Sequence, residues 1–312
     1  MSESADLNVA DDDGAAQIHD QRFRPYDGPR RGLAGAIRAV IVSSMRFTLG
    51  LGRPARHKFL PWLAVVVALV PAIVFVGIAT VLDIDLISEN ILPEYHEYYG
   101  NIQVSLFFFC GIVVPEILVA DRRNGMLPLY LSTPLRLWSY LASKASAVTV
   151  TLAVITVGPL LFLLVAYTLE GSGPDGPGDW LIVLVRILGA GIAIAATVTA
   201  ASLAISSLTD RRAFAVIGVV LLLLGSLLVT RSLVEAAELN SRLYGLSLFD
   251  ISAELKDRIF GVGPAALDIG DSPSGRSTSE LSTWFVIAAN AAWVAAGAAV
   301  LWWRYRRIEG TQ

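Results

Sequence analysis

The stretch FLPWLAVVVALVPAIVFVGIATVL, residues 59–82, decides the fold class because it contains no charged residue. An α-helix needs about 20 consecutive apolar residues to cross a hydrocarbon core about 30 Å thick. None of the apolar stretches shows the strict alternation of a transmembrane β-strand, and in lipid a helix satisfies its own backbone hydrogen bonds. Five further stretches meet or approach the required length: 102–120, 145–168, 181–208, 213–230 and 284–303. The sequence therefore predicts an all-α, polytopic membrane protein with six transmembrane helices.

The overall composition agrees with this class. Hydrophobic residues make up 54% of the 312 residues and charged residues only 16%, with a mean hydropathy of +0.61. Soluble domains usually carry about 25% charged residues. The net charge of −3 gives no indication of a nucleic-acid partner.

Basic residues predict the orientation of the chain. The segment before the first span, the connections 121–144 and 209–212 and the C-terminal end are rich in Arg and Lys, whereas the connections 83–101 and 169–180 contain neither. The long connection 231–283 contains five basic residues, compared with 18 in the segments on the other side. The positive-inside rule therefore predicts that the N and C termini are cytoplasmic and that 231–283 is an external loop.

The segments outside the spans have distinct characters. Residues 1–31 are polar and acid-rich with no apolar core of a signal peptide, which predicts a disordered N-terminal tail. Residues 32–50 place Leu33, Ile37 and Val40 near one helical face, which predicts an amphipathic interfacial helix before the first span. A membrane domain would then occupy 32–307, with a short tail at 308–312.

The external loop also contains a helical pattern. Apolar residues recur at helical spacing after two plausible N-caps, Ser247 and Asp250. The recurring residues are Leu248, Ile251, Leu255 and Ile259. The pattern predicts an amphipathic helix that rests on or dips into the outer leaflet.

Three polar residues lie at membrane depth: Glu116, Arg186 and Asn290. Ionisable residues at such positions are candidates for a role in transport. Glu116 and Arg186 lie within one or two turns of a span end, so snorkelling to the interface is the alternative explanation for both.

Motifs for catalysis are absent from the sequence. There is no G-x-x-x-x-G-K-[ST] phosphate loop, no H-E-x-x-H and no G-x-S-x-G, and the three histidines are widely separated. The single cysteine, Cys110, lies within the second span. We therefore expect no enzyme activity, no cofactor and no metal site in this chain, and any energy source must come from a partner.

The connection between the second and third spans is the most informative segment. It reads DRRNGMLPLYLSTPLRLWSYLASK, residues 121–144, and combines a charged turn, an apolar-aromatic helix, a Ser-Thr-Pro break and a closing lysine. A helix too short to cross the membrane, held between two spans, suits docking into a groove of a soluble partner. An ordinary interfacial loop helix is the alternative.

This segment resembles the first cytoplasmic loop of the type-2 ABC exporter permeases. The residues at the positions of that loosely defined pattern are Asp121, Gly125, Leu127, Leu131, Ser132, Thr133, Pro134, Arg136, Tyr140 and Lys144. The external LSLFDISAELKDRIFG, residues 246–261, is similar to the last loop of that family, so the resemblance covers about 32–307. Two features depart from the pattern: Glu116 and Asp121 replace a common Glu pair, and the acidic tail has no counterpart.

The resemblance implies a permease subunit of an ATP-driven exporter in a bacterial-type plasma membrane. Its partners would be a separate ABC ATPase subunit, which binds ATP and Mg, and a second permease copy or paralogue. Residues 121–143 would form the coupling helix. Within it, Arg122, Arg123 and Arg136 would contact the ATPase surface, and Tyr130 and Trp138 would fill its groove.

Other classes of membrane protein compete with this interpretation. ABC importer permeases carry E-A-A-x-x-x-G followed by I-x-L-P, but the corresponding segment here, Leu135 to Trp138, lacks the proline. A membrane assembly or regulatory subunit would dock a soluble partner through the same loop without driving transport. A secondary carrier is less well supported, because paired intramembrane carboxylates and broken helices are missing from the pattern.

Overall fold

The computed structural model describes residues 32–52, 54–81, 93–131, 135–261 and 281–309. These residues belong to one compact unit that begins at Gly32. The expected disordered tail 1–31, the break at Ser132, Thr133 and Pro134, and the terminal residues 310–312 lie outside the described residues.

The described residues form α-helices, two short π-helical segments and one 3₁₀ helix, and no strand occurs in these ranges. The α-helices are α1 (Gly32–Thr48), α2 (Ala55–Val81), α3 (Tyr99–Phe108), α4 (Val114–Arg123), α5 (Met126–Leu131), α6 (Leu137–Leu169), α7 (Pro177–Ser207), α8 (Arg212–Arg231), α9 (Leu248–Phe260) and α10 (Thr283–Glu309). The π-helical segments are Phe109–Val113 and Ser232–Ala236, and the 3₁₀ helix is Ser241–Leu246.

The prediction of six membrane-spanning helices is confirmed by length and apolarity. The spans are His57–Thr80, Tyr99–Arg123, Leu137–Leu169, Pro177–Ser207, Arg212–Ala236 and Thr283–Arg307. The third span begins at Leu137 rather than at residue 145. Lys144 lies inside this helix, where its charge is paired with Asp121. The chain is therefore a helical, multi-pass membrane protein.

The second and third spans form the centre of the bundle. In their most apolar windows 67% and 56% of residues are buried within the protein, whereas the first, fifth and sixth spans bury only 22%. Large apolar side chains such as Phe59, Leu221 and Trp284 lie on the outer surface of these peripheral helices. Such a surface is stable only against lipid or another protein.

The second span is interrupted by the π-helical segment Phe109–Val113. Val114 donates its backbone N–H to the carbonyl of Phe109, which is the i→i+5 bond of a π-turn. The next residue is Pro115, which has no N–H to continue the α-helical pattern at this point. The proline therefore accounts for the widened turn, a type of distortion that is frequent at functional sites.

Small residues allow α7 and α10 to pack closely. A Cβ atom built on Gly297 would lie 2.6 Å from the carbonyl oxygen of Ala200, which is far inside van der Waals contact. Close backbone approach at small residues is the usual way in which membrane helices associate.

The helix expected in the 231–283 connection is present as α9. Ser247 caps its first turn by accepting a hydrogen bond from the N–H of Asp250, and Gly261 ends it in the left-handed conformation. Asp250, the other residue expected to cap the helix, instead forms an ion pair with Arg231 at 3.0 Å. The helix packs against α7, α8 and α10.

The helix predicted before the first span is present as α1. It packs mainly against α6 through a face that includes Val40, Ser44 and Thr48. The hydroxyl groups of Thr48 and Thr151 lie 3.2 Å apart and join the two helices.

Candidate functional site

The connection between the second and third spans consists of three pieces rather than one helix. The single coupling helix expected over 121–143 is replaced by the end of α4 at Arg123, the six-residue α5 and the start of α6 at Leu137. Gly125 has φ of +60°, and its N–H bonds to the carbonyl of Arg122. This left-handed glycine ends α4, because a residue with a Cβ atom is strained there. Leu127 and Leu131 lie in α5.

A buried ion pair joins the two spans at the base of this connection. The Nζ atom of Lys144 lies 2.7 Å from Oδ2 of Asp121, and the lysine and aspartate side chains are only 6% and 13% exposed. The hydroxyl of Tyr140 donates a hydrogen bond of 2.7 Å to the same oxygen. The structure thus brings together three of the residues that the sequence pattern singled out.

Aromatic rings surround this ion pair. The ring of Tyr140 lies 5.2 Å from that of Tyr130 in α5 and 6.3 Å from that of Tyr305 in α10. The ammonium group of Lys144 lies 5.6 Å and 5.7 Å from the centres of the Tyr130 and Tyr140 rings, within the range of cation–π attraction. Burial, and then the negative charge of Asp121, raise the pKa of Tyr130 above its ordinary value, so the hydroxyl stays protonated.

Arg122 holds the turn between α7 and α8. Its guanidinium donates hydrogen bonds to the carbonyls of Ser207 at 2.6 Å, Ser206 at 2.7 Å and Thr209, and it pairs with Asp210 at 3.2 Å. The last carbonyls of a helix have no partner within the helix and carry the negative end of its dipole. Arg122 therefore caps the C-terminus of α7 from a neighbouring helix.

We call the residues around this ion pair the loop cluster: Asp121, Arg122, Tyr130, Tyr140, Lys144 and Tyr305. The loop cluster ties the connection to α4, α6, α10 and the α7–α8 turn. The end of the bundle that carries it is called the loop end below.

Arg122 was expected to contact a partner surface, but its side chain is only 7% exposed and is held by the chain itself. Tyr130 likewise packs within the protein.

Other residues of the connection form an exposed surface. Arg123 and Arg136 are exposed, and Leu129 is 60% exposed. Trp138 is 57% exposed, but its ring packs at 6.0 Å against Trp302 on the side of the bundle formed by α10. Among the described residues of the connection, Arg123, Leu129 and Arg136 are therefore the exposed arginine and leucine side chains, beside the exposed Asn124 and Gly125.

Two contributors to this site were not found from the sequence. Tyr305 and Asp210 lie in segments far along the chain from the loop motif, and no local pattern marks them as partners of Tyr140 and Arg122. Leu129 sits inside the motif, but its exposure depends on how α5 folds back against α6.

Two of the three polar residues at membrane depth, Glu116 and Asn290, have partners within the bundle. Glu116 pairs with Arg212 at 3.2 Å beside a cavity of about 230 Å³ that Phe47 and His57 also line. The guanidinium of Arg186 lies beside Gly261 at the C-terminus of α9, where the helix dipole favours a cation. Asn290 donates hydrogen bonds to the carbonyls of Ile251 at 3.0 Å and Val286 at 2.9 Å.

These partners give Glu116 and Asn290 a structural role. Asn290 fixes α9 against α10, and Glu116 links α4 to α8. Within the described parts of the chain, no group of three or more His, Cys, Asp or Glu residues is placed to hold a metal ion.

No protein-family model matches this chain, and no curated protein matches it significantly.

Proposed function

We propose that this chain is the permease subunit of an ATP-driven ABC exporter, with the loop end in the cytoplasm. A separate ATPase subunit binds and hydrolyses ATP with Mg, and a second permease copy or paralogue completes the membrane part. The exposed surface of Arg123, Leu129 and Arg136 is the contact with the ATPase. The loop resemblance supplies the class of partner.

The observation that carries the proposal is the link between the exposed loop and the spans. The loop cluster connects the short loop helix α5 to α4, α6, α10 and the α7–α8 turn through ion pairs, hydrogen bonds and ring contacts. A displacement of the loop by a closing ATPase would therefore move several spans together rather than bend one flexible loop. Packed interfaces respond to such a push by shifting as units.

The amino-acid types of the exposed surface suit this contact. Two arginines flank an exposed leucine, and arginine is favoured at interfaces because it pairs with carboxylates in a fixed geometry. The chain itself carries no phosphate-binding loop, so the energy source is assigned to the partner.

Co-purification tests the proposal. The tagged chain is purified in mild detergent from its native membrane, and bound proteins are identified by mass spectrometry. We expect a P-loop ATPase with the wild-type chain and at least about a tenfold loss with Arg123→Glu, because like charges across an interface are strongly unfavourable. Arg306→Glu is the matched control, since Arg306 is an exposed arginine near the same end of the bundle but outside the loop.

Three results would contradict the proposal. No ATPase under any mild condition would exclude the coupling role, and equal losses with both variants would mean that the loop is not the contact. An ATPase that binds the chain but whose ATP turnover never responds to the permease would favour an assembly or regulatory subunit.

A further inference from the structure

An apolar groove runs along α10 at the end of the bundle opposite the loop end. One wall is α10 from Phe285 to Ala296, and the other is the 3₁₀ helix 241–246 at Gly245 and Leu246. The groove has a volume of about 390 Å³, and Arg242 lies on its rim. It opens on the outer surface of the bundle, where Leu246 and Ala296 are exposed.

The length of the groove matches one leaflet. Ala296 lies 11 positions after Phe285, which is about 16.5 Å of helix at 1.5 Å per residue. Half of a hydrocarbon core about 30 Å thick is about 15 Å. Because the groove begins at Phe285, near the start of the sixth span at Thr283, its length corresponds to the depth of one acyl chain.

The two walls are held together by specific contacts. The indole N–H of Trp293 donates a hydrogen bond of 3.0 Å to the carbonyl of Gly245. A Cβ atom on Gly245 would lie 3.1 Å from the Phe285 ring, so the glycine allows the 3₁₀ helix to approach α10. The groove is thus a built feature of the fold rather than a gap between loosely packed helices.

Arg242 differs from the other basic residues of its connection that the structure describes. Arg231 pairs with Asp250, Lys256 with Asp257 and Arg258 with Glu254. Arg242 is exposed, and within the described residues its guanidinium forms no ion pair with a carboxylate. A guanidinium at the rim of an apolar groove in a membrane is complementary to a phosphate group.

We propose that this groove binds one phospholipid of the leaflet opposite the loop end. An acyl chain lies between Phe285 and Ala296, and the headgroup phosphate contacts Arg242. The positive charge of Arg242 makes an anionic lipid the preferred occupant, because a basic residue near a membrane surface attracts anionic lipids. The site does not depend on the proposed coupling to an ATPase.

Native mass spectrometry of the intact protein tests the proposal. Phosphatidylglycerol and phosphatidylcholine with identical acyl chains are added separately in detergent, and retained lipid is counted. We expect the wild-type chain to retain one phosphatidylglycerol with roughly fivefold preference over phosphatidylcholine, and Arg242→Gln to abolish the preference. Arg306→Gln is the control at the opposite end of α10 and should retain the preference.

A second pair of variants tests the groove itself. Ala296→Phe fills the end of the groove at Ala296, and we expect it to reduce retention of both lipids. Ala288→Phe places the same ring on an exposed position of α10 outside the groove and should leave retention unchanged. Equal retention of both lipids by the wild type, equal effects of Arg242→Gln and Arg306→Gln, or no effect of Ala296→Phe would each overturn the proposal. Retention of inorganic phosphate in place of lipid would also overturn it.

Discussion

Lys144 and Asp121 form an ion pair of 2.7 Å that joins the third span to the second at the loop end. Both side chains are nearly buried, and Tyr140 donates a hydrogen bond to the same carboxylate oxygen. A charge that is buried with a partner becomes very unfavourable when the partner is removed. This pair therefore fixes the relative position of the two central spans.

Lys144→Met should destabilise the protein by about 3 kcal/mol or more, because it leaves the Asp121 carboxylate buried without its counter-charge. The double variant Asp121→Asn/Lys144→Met should recover part of this loss, since neither charge then remains. The measurement is the apparent melting temperature in detergent for the two single variants and the double variant.

Glu116→Gln is the matched control for this experiment. It breaks the Glu116–Arg212 pair, whose side chains are 20% and 45% exposed. Partly exposed pairs contribute about 1 kcal/mol or less, so the control should cost much less than Lys144→Met. Similar losses for the two variants would contradict the assignment of a special role to the buried pair.

Arg122→Lys should loosen the turn between α7 and α8. Lysine keeps the charge, but it cannot reproduce the fork of N–H groups with which Arg122 contacts the carbonyls of Ser206 and Ser207. We expect faster hydrogen–deuterium exchange at residues 206–212. Arg123→Lys makes the same chemical change at the adjacent, exposed position and should leave exchange unchanged.

The six spans could be predicted from the sequence because their length and apolarity are local properties. The organisation of the loop could not be predicted in this way, because the loop residues contact side chains that lie far away along the same chain. Arg122 and Arg123 are adjacent and chemically identical, yet one caps α7 and the other is exposed. Tyr305 reaches the loop only because α10 returns to the same end of the bundle.

Gly297→Ala should separate α7 from α10. The added methyl group would lie 2.6 Å from the carbonyl oxygen of Ala200, so the helices must move apart at a cost of about 1–3 kcal/mol. Gly225→Ala is the control, because nothing lies within 4 Å of a Cβ atom at that position in α8. A lower apparent melting temperature for the first variant alone would agree with the close packing, and equal values would contradict it.

Asn290→Leu should release α9 from α10. The leucine has a similar size but cannot donate to the carbonyl of Ile251, and the net contribution of such a buried hydrogen bond to stability is about 1 kcal/mol. The half-buried Ala253, replaced by cysteine, provides a reporter on α9. We expect thiol labelling at this position to be faster in the Asn290→Leu background, with unchanged labelling contradicting the anchoring role.

The orientation of the chain can be tested with single cysteines at opposite ends of the bundle. Arg123 is exposed at the loop end, and Leu239 is 45% exposed beyond the other end of the fifth span. The natural Cys110 is fully buried and should add little background. If the loop end is cytoplasmic, a membrane-impermeant maleimide labels Leu239→Cys in intact cells and labels Arg123→Cys only after lysis. The reverse pattern would place the loop outside the cell, where no ATP-hydrolysing partner could use it, and would overturn both the orientation and the exporter proposal.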